Sequence, residues 1–352
     1  MELTSTRVHE ERTIFLDYLR VFSTFAVMIL HISAQNFRVA DVNSFAWQTF
    51  NVYDSMVRWA VPVFVMISGS LFLNRDISTK QLYSKYILRL TVSFLFWSLL
   101  YSFIKGGSVI SRLSAIVHGH YHMWFILMMI GLYMCIPIIK PIVQSDYIAK
   151  YYLLLSFVFT FAVPELLCLT DDFGPEFIAK SAHSINSSIT TMNMHIVMGY
   201  VSYYILGYYL FKTELIRKQR IGIYVLGFFG LAVTIALDSA VALKTQQPCT
   251  NYYGNFNVNV LLMAIAVFTL FKYGVFQNNT INNIMQKLSK YSFGAYLIHA
   301  MVIELLNNYF GINTLSFNPV VSVIVLGLFV FIVSFCASAL LNQVPIIKKY
   351  LV

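Results

Sequence analysis

Charge is what this sequence has least of. Of 352 residues, 15 are acidic and 24 basic, so 11% carry charge where an ordinary soluble domain carries about 25%. With 58% hydrophobic residues and a mean hydropathy of +0.70, the chain cannot cover a water-facing surface, which excludes a soluble protein. Cysteine is also scarce. The four present (Cys135, Cys168, Cys249 and Cys336) form no CxxC or zinc spacing. Cys135 and Cys336 lie in apolar runs and read as small core residues; Cys168 and Cys249 fall in two loops on the outer side, where pairing stays open. The formal net charge of +9 does not indicate nucleic acid, because the cations sit in short segments between apolar runs and not on one face of a folded domain.

What is abundant is apolar length. The 30 Phe and 23 Tyr suit lipid-facing helices and interfacial belts. At about 20 residues per crossing, the sequence reads as an all-α, polytopic membrane protein with ten spans: 14–35, 55–73, 86–104, 122–140, 149–168, 195–211, 221–241, 257–274, 289–309 and 318–341. Breakers separate them, among them Asn74-Arg75-Asp76, Gly106-Gly107, Asp171-Asp172-Phe173-Gly174-Pro175, Asn278-Asn279 and Asn318-Pro319. With both termini inside, 17 cations fall on the cytoplasmic side and 6 outside, with Arg20 left within the first span. The positive-inside rule then gives a cytoplasmic N-terminal tail at 1–13 and a cytoplasmic tail at 342–352. The first apolar run is too long for a signal peptide and carries Asp17 and Arg20, so a single membrane domain over 1–352 is expected. No tandem repeat is visible.

Ionisable side chains inside a span are costly and usually face an interior cavity. Arg20 and His31 are eleven residues apart, almost three whole turns, so they share one face of the first helix about 16 Å apart. Asp17, three residues before Arg20, is positioned to pair with it. The bland alternative is a structural ion pair and a core histidine. His299 lies ten residues into the ninth span, a depth comparable with His31, and the two imidazoles could converge. Glu304 and Asp238, near outer span ends, also admit a solvated reading. Lys85 and Arg89 sit one turn apart at the inner start of the third span, where they suit phosphate or simply mark the inner face. His118-Gly119-His120-Tyr121-His122 has three histidines but no neighbouring carboxylate or Cys, so no metal site is expected. Trp124 reads as an interfacial anchor, and Ser68-Gly69-Ser70 as a close helix approach.

Five motifs in order resemble the acyltransferase 3 family: Arg20 through His31; Phe64-Val65-Met66-Ile67-Ser68-Gly69; the basic pair Lys85 and Arg89, where many members have two Arg; His122-Met123-Trp124-Phe125; and Ser292 to His299. Within that family the chain looks most like the enterobacterial common antigen O-acetyltransferase group. The resemblance implies an integral protein of a bacterial inner membrane. It would move an acyl group, acetyl by analogy, from cytoplasmic acyl-CoA as co-substrate to a hydroxyl of an envelope glycan or lipid-linked sugar, with no permanently bound cofactor. It also implies roles. His31 would be general base or transient acyl acceptor, with Asp17 and His299 in the chemistry. Arg20, Lys85 and Arg89 would hold the donor. Ser68, Gly69, His122, Trp124, Tyr296 and Glu304 would line the acceptor side. No fused extracytoplasmic esterase-like domain is expected. The competing reading is a glycan transporter or flippase with His31 and Glu304 as proton relays.

Overall fold

A computed structural model of the chain describes residues 2–105, 108–192 and 194–352. Sixteen helices follow in order: α1 Glu2–Ser33, α2 Phe45–Val57, α3 Ala60–Phe72, α4 Thr79–Gln81, α5 Leu88–Lys105, α6 Val109–His118, α7 Trp124–Gln144, α8 Asp146–Ser156, α9 Val163–Phe173, α10 Glu176–Thr191, α11 Val201–Lys212, α12 Arg217–Thr245, α13 Val258–Lys272, α14 Asn279–Phe310, α15 Pro319–Leu341 and α16 Pro345–Tyr350. No strand occurs among the described residues. The break read at Gly106-Gly107 lies outside the described residues.

Among the described residues, seven helical segments are long and apolar enough to cross a bilayer: Ile14–Ser33, Phe45–Phe72, Thr79–Ile104, Trp124–Gln144, Asp146–Phe173, Arg217–Thr245 and Pro319–Leu341. Three further positions read as spans in the sequence are also helical. There α11 and α13 have only 12 and 15 residues, while α14 has 32 but is rich in Asn, Gln, Lys and Ser.

Local chemistry explains the boundaries. The second span starts at Phe45, ten residues before the expected 55, because Ser44 caps α2 by accepting from the Trp47 N–H at 3.1 Å. Between α2 and α3 the ladder breaks at Arg58-Trp59, where Pro62 has no N–H to offer the carbonyl four residues back. The wide turn over Phe157–Ala162 absorbs Pro164 in the same way, so helix continues from Asp146 to Phe173. The acidic run at 171–175 therefore breaks the chain later than expected, at Gly174, and the segment after it folds as α10 instead of a loop.

The chain forms two compact units. The first comprises Met1–Ile32, Arg75–Ile138 and Phe276–Val352; the second comprises Ser33–Asn74 and Ile139–Val275. In the first, α14 packs on α15, α5 on α6, and α16 on α5. In the second, α3 packs on α11 and α12 on α13. The second unit has a polar interior. Asp54 is buried and paired with Arg58, whose guanidinium lies 4.1 Å from the centre of the Tyr253 ring. Arg58, which the ten-span reading counts among the six outer cations, is thus a half-buried ion-pair partner. Asp238 is fully buried as well, accepting from the Tyr252 N–H at 3.3 Å, which corrects its solvated reading. The 246–257 segment folds back over it and shuts out solvent, a tertiary event that position along a helix does not reveal.

Cys168, expected in a loop, lies on α9 because the helix runs on to Phe173; it and Cys249 are free thiols. Cys249 is 6% exposed and accepts from the Asn251 N–H at 3.5 Å. Burial, with Asp238 and Asp172 nearby, pushes its thiol up to about 12. At pH 8 roughly one molecule in ten thousand would carry the thiolate. A variant retaining Cys249 alone is therefore expected to resist maleimide at pH 8 when folded and to label fully in SDS; rapid labelling of the folded protein would contradict this burial.

Candidate active site

Within the first unit, α1 and α14 run parallel in a fixed register. Arg20 Nη1 donates to Ser289 Oγ at 2.8 Å, and three turns further on the rings of His31 and His299 stack with centroids 5.2 Å apart and an interplanar angle of 30°. Eleven residues separate the two positions on α1 and ten on α14, about 16 and 15 Å by helical rise. The comparable depth read from the sequence is thus a contact between imidazoles. Asp17 lies at the other level, 3.7 Å from Arg20. That pairing lowers the cost of burying Arg20 and leaves Asp17 some 21 Å along the helix from His31.

A third segment completes the cluster. Gly119 ends α6 at φ +73, where a Cβ would lie 2.8 Å from the Phe94 ring, so only glycine makes this turn without strain. The chain then delivers His120, Tyr121 and His122 to the imidazoles of α1 and α14. The Tyr121 ring meets His31 edge-on at 5.1 Å, and His122 meets His299 edge-on at 5.0 Å. Tyr101 of α5 stacks on His120 at 4.2 Å, and its hydroxyl donates to the Leu297 carbonyl at 2.7 Å. Tyr296 donates its hydroxyl to the His122 carbonyl.

The hydrogen bonds order the tautomers. Glu304 Oε1 lies 2.8 Å from His120 Nε2, and His120 Nδ1 lies 3.0 Å from His122 Nδ1. An ionised carboxylate only accepts, so His120 Nε2 carries the proton; with a neutral ring, its Nδ1 accepts from His122. His299 Nδ1 donates to the Tyr296 carbonyl, which leaves Nε2 as a bare lone pair, buried and without a hydrogen-bond partner. His299 and His122 are 0% and 1% exposed, whereas His31 is half-buried. The reachable imidazole of this stacked pair is His31.

Sequence reading missed His120 and Tyr101. The signal for His120 was present in the His-Gly-His-Tyr-His string; its carboxylate comes from Glu304, 184 residues away. No group of three or more His, Cys, Asp or Glu among the described residues is arranged to hold a metal ion. Lys85 is exposed and Arg89 half-buried, with its guanidinium 5.6 Å from the Phe293 ring, six residues before His299. Trp124 is 40% exposed and packs edge-on against Phe125. Ser68 and Gly69 lie in the second unit, where Gly69 meets the α11 backbone and Ser68 is half-buried.

These features define a helical membrane protein built around a buried histidine cluster. The chain matches the model of the Acyl_transf_3 family, described as an acyltransferase domain, over residues 13–341, and it belongs to that family. No curated protein and no solved structure matches the chain significantly.

Proposed function

We propose that this membrane acyltransferase moves an acyl group, acetyl by family likeness, from acyl-CoA to a hydroxyl of a cell-surface or lipid-linked polysaccharide, with His31 in the chemistry. The single observation that carries the reading is the half-buried His31 imidazole, stacked on a buried His299 and three turns along α1 from Arg20. The sugar oxygen attacks the thioester carbonyl carbon while His31 takes the hydroxyl proton. The new C–O bond replaces the C–S bond, and the proton passes to the departing CoA thiolate. In the covalent variant the imidazole nitrogen first displaces the CoA thiolate, C–N replacing C–S, and the sugar hydroxyl then displaces the imidazole, its proton ending on the thiolate. Arg20, Lys85 and Arg89 hold the donor phosphates; Tyr296, His122 and Glu304 shape the imidazole site. The membrane is a bacterial inner membrane with both termini cytoplasmic, and the acceptor group follows the likeness to enterobacterial common antigen O-acetyltransferases.

The His120–Glu304 pair also favours a second reading, proton-coupled movement of a glycan. One assay separates them. Protein in nanodiscs with acetyl-CoA and a host glycan extract should release free thiol and add one acyl mass to the glycan. No thiol release, together with gradient-dependent glycan movement in vesicles, would instead establish transport.

A further inference from the structure

The C-terminal helix is seated on α5 by its backbone. Arg89 Nη2 donates to the Val352 backbone oxygen at 2.5 Å, Ser93 Oγ to the Tyr350 carbonyl at 2.7 Å, and Trp97 Nε1 to the Leu351 carbonyl at 3.0 Å. These three donors stand at i, i+4 and i+8, one stripe of α5. Gly294 makes room for the seated chain: a Cβ there would lie 2.9 Å from Val352 Cβ.

This seating sorts the two sides of α16. Ile347 and Leu351 line an apolar cavity of about 410 Å³ together with Trp97 and Ile298. Lys348, Lys349 and Tyr350 line a different cavity, of about 710 Å³, together with Lys85, Arg89 and Asn342. That second lining holds four cations and no carboxylate. Four like charges around one cavity repel each other, and an anion in the cavity relieves that repulsion.

We infer that α16 is one wall of a phosphate-binding cavity, in which Lys348 and Lys349 act with Lys85 and Arg89 to hold the polyphosphate end of a ligand. The ligand's identity rests on the acyl-CoA reading above, for which that end is the nucleotide with its phosphates. The headgroup of an anionic lipid offers the same chemistry. The cavity lies on the same unit as the imidazoles: the Arg89 guanidinium sits by Phe293, about 9 Å along α14 from His299.

The test uses the full chain in phosphatidylcholine nanodiscs and the double variant Lys348→Gln/Lys349→Gln, whose changes are exposed and spare the seating bonds. Calorimetric titration with coenzyme A reads binding whether or not acyl transfer occurs. The double variant is expected to bind coenzyme A roughly three- to tenfold more weakly, with the difference shrinking at high salt. Acetyl-pantetheine, which lacks the nucleotide phosphates, should bind wild type and variant alike. A second arm titrates short-chain phosphatidylglycerol, with short-chain phosphatidylcholine as control, into the same nanodiscs. Weakening confined to that arm assigns the phosphate to lipid and still supports the cavity. Equal affinity of wild type and variant in both arms overturns the inference. Loss of thiol release in the wild type with the titration difference intact would instead sink the acyl-transfer reading alone.

Discussion

Exchanging His31 for alanine is expected to lower acyl transfer roughly 10³-fold, the contribution typical of a positioned general base, while leaving the protein folded. His31 is half-buried, so removing its ring opens no sealed core cavity, and the Arg20–Ser289 bond three turns away still holds α1 against α14. Thiol release per folded molecule, with folding read by gel filtration in detergent, checks this. Transfer within threefold of wild type would demote His31 to a packing residue. His299 makes the comparison informative. Its Nδ1 is committed to the Tyr296 carbonyl and its ring is fully buried under His31, so it acts by positioning. His299→Ala should therefore cost less activity and shift the pH profile of transfer, because it changes what the His31 ring stacks on. If His299→Ala abolished transfer and His31→Ala did not, the two roles would be reversed.

How much of this could be read without coordinates depends on the range of each interaction. The Arg20–His31 face is a property of one helix, and 3.6-residue periodicity alone puts both side chains on it. The meeting of His31 with His299 depends on register between helices 268 positions apart, which matching depth suggests but only the Arg20–Ser289 bond fixes. Glu304 is different: nothing near it in sequence marks it as the carboxylate of His120, and its position near a helix end favours the solvated reading equally. Asp238 fails for the complementary reason. It looks exposed by its place on α12 and is buried because a loop folds over it. The polar composition that marks α14 as the carrier of His299 and Ser289 also lowers its hydropathy, so a helix that lines the imidazole cluster falls outside the seven apolar segments.

Family likeness links Ser68 and Gly69 to the acceptor side, whereas their packing makes a sharp structural demand. A Cβ at Gly69 would fall 1.9 Å from the Tyr204 carbonyl oxygen, and one at Gly207 would fall 2.2 Å from that of Met66. Both obstacles are backbone, so no rotamer change relieves them, and α3 and α11 would have to separate. Ser70 Oγ, bonded to the Met66 and Gly207 carbonyls at 2.8 and 2.9 Å, would lose its bridge as well. In a bilayer such close approach is a main source of helix–helix affinity. Gly69→Ala is therefore expected to cost about 3 kcal/mol or more, overpacking with no soft neighbour to yield, and to show as a lowered melting midpoint and little monodisperse protein. Ser68→Ala, half-buried and next to the contact, should melt like the wild type. Measuring transfer per folded molecule in both variants separates the two roles of this motif. If the surviving Gly69→Ala protein keeps its specific activity, the glycine serves packing. If Gly69→Ala folds normally and transfers nothing, the α3–α11 contact is more pliant than its geometry requires, and the motif belongs to the acceptor site.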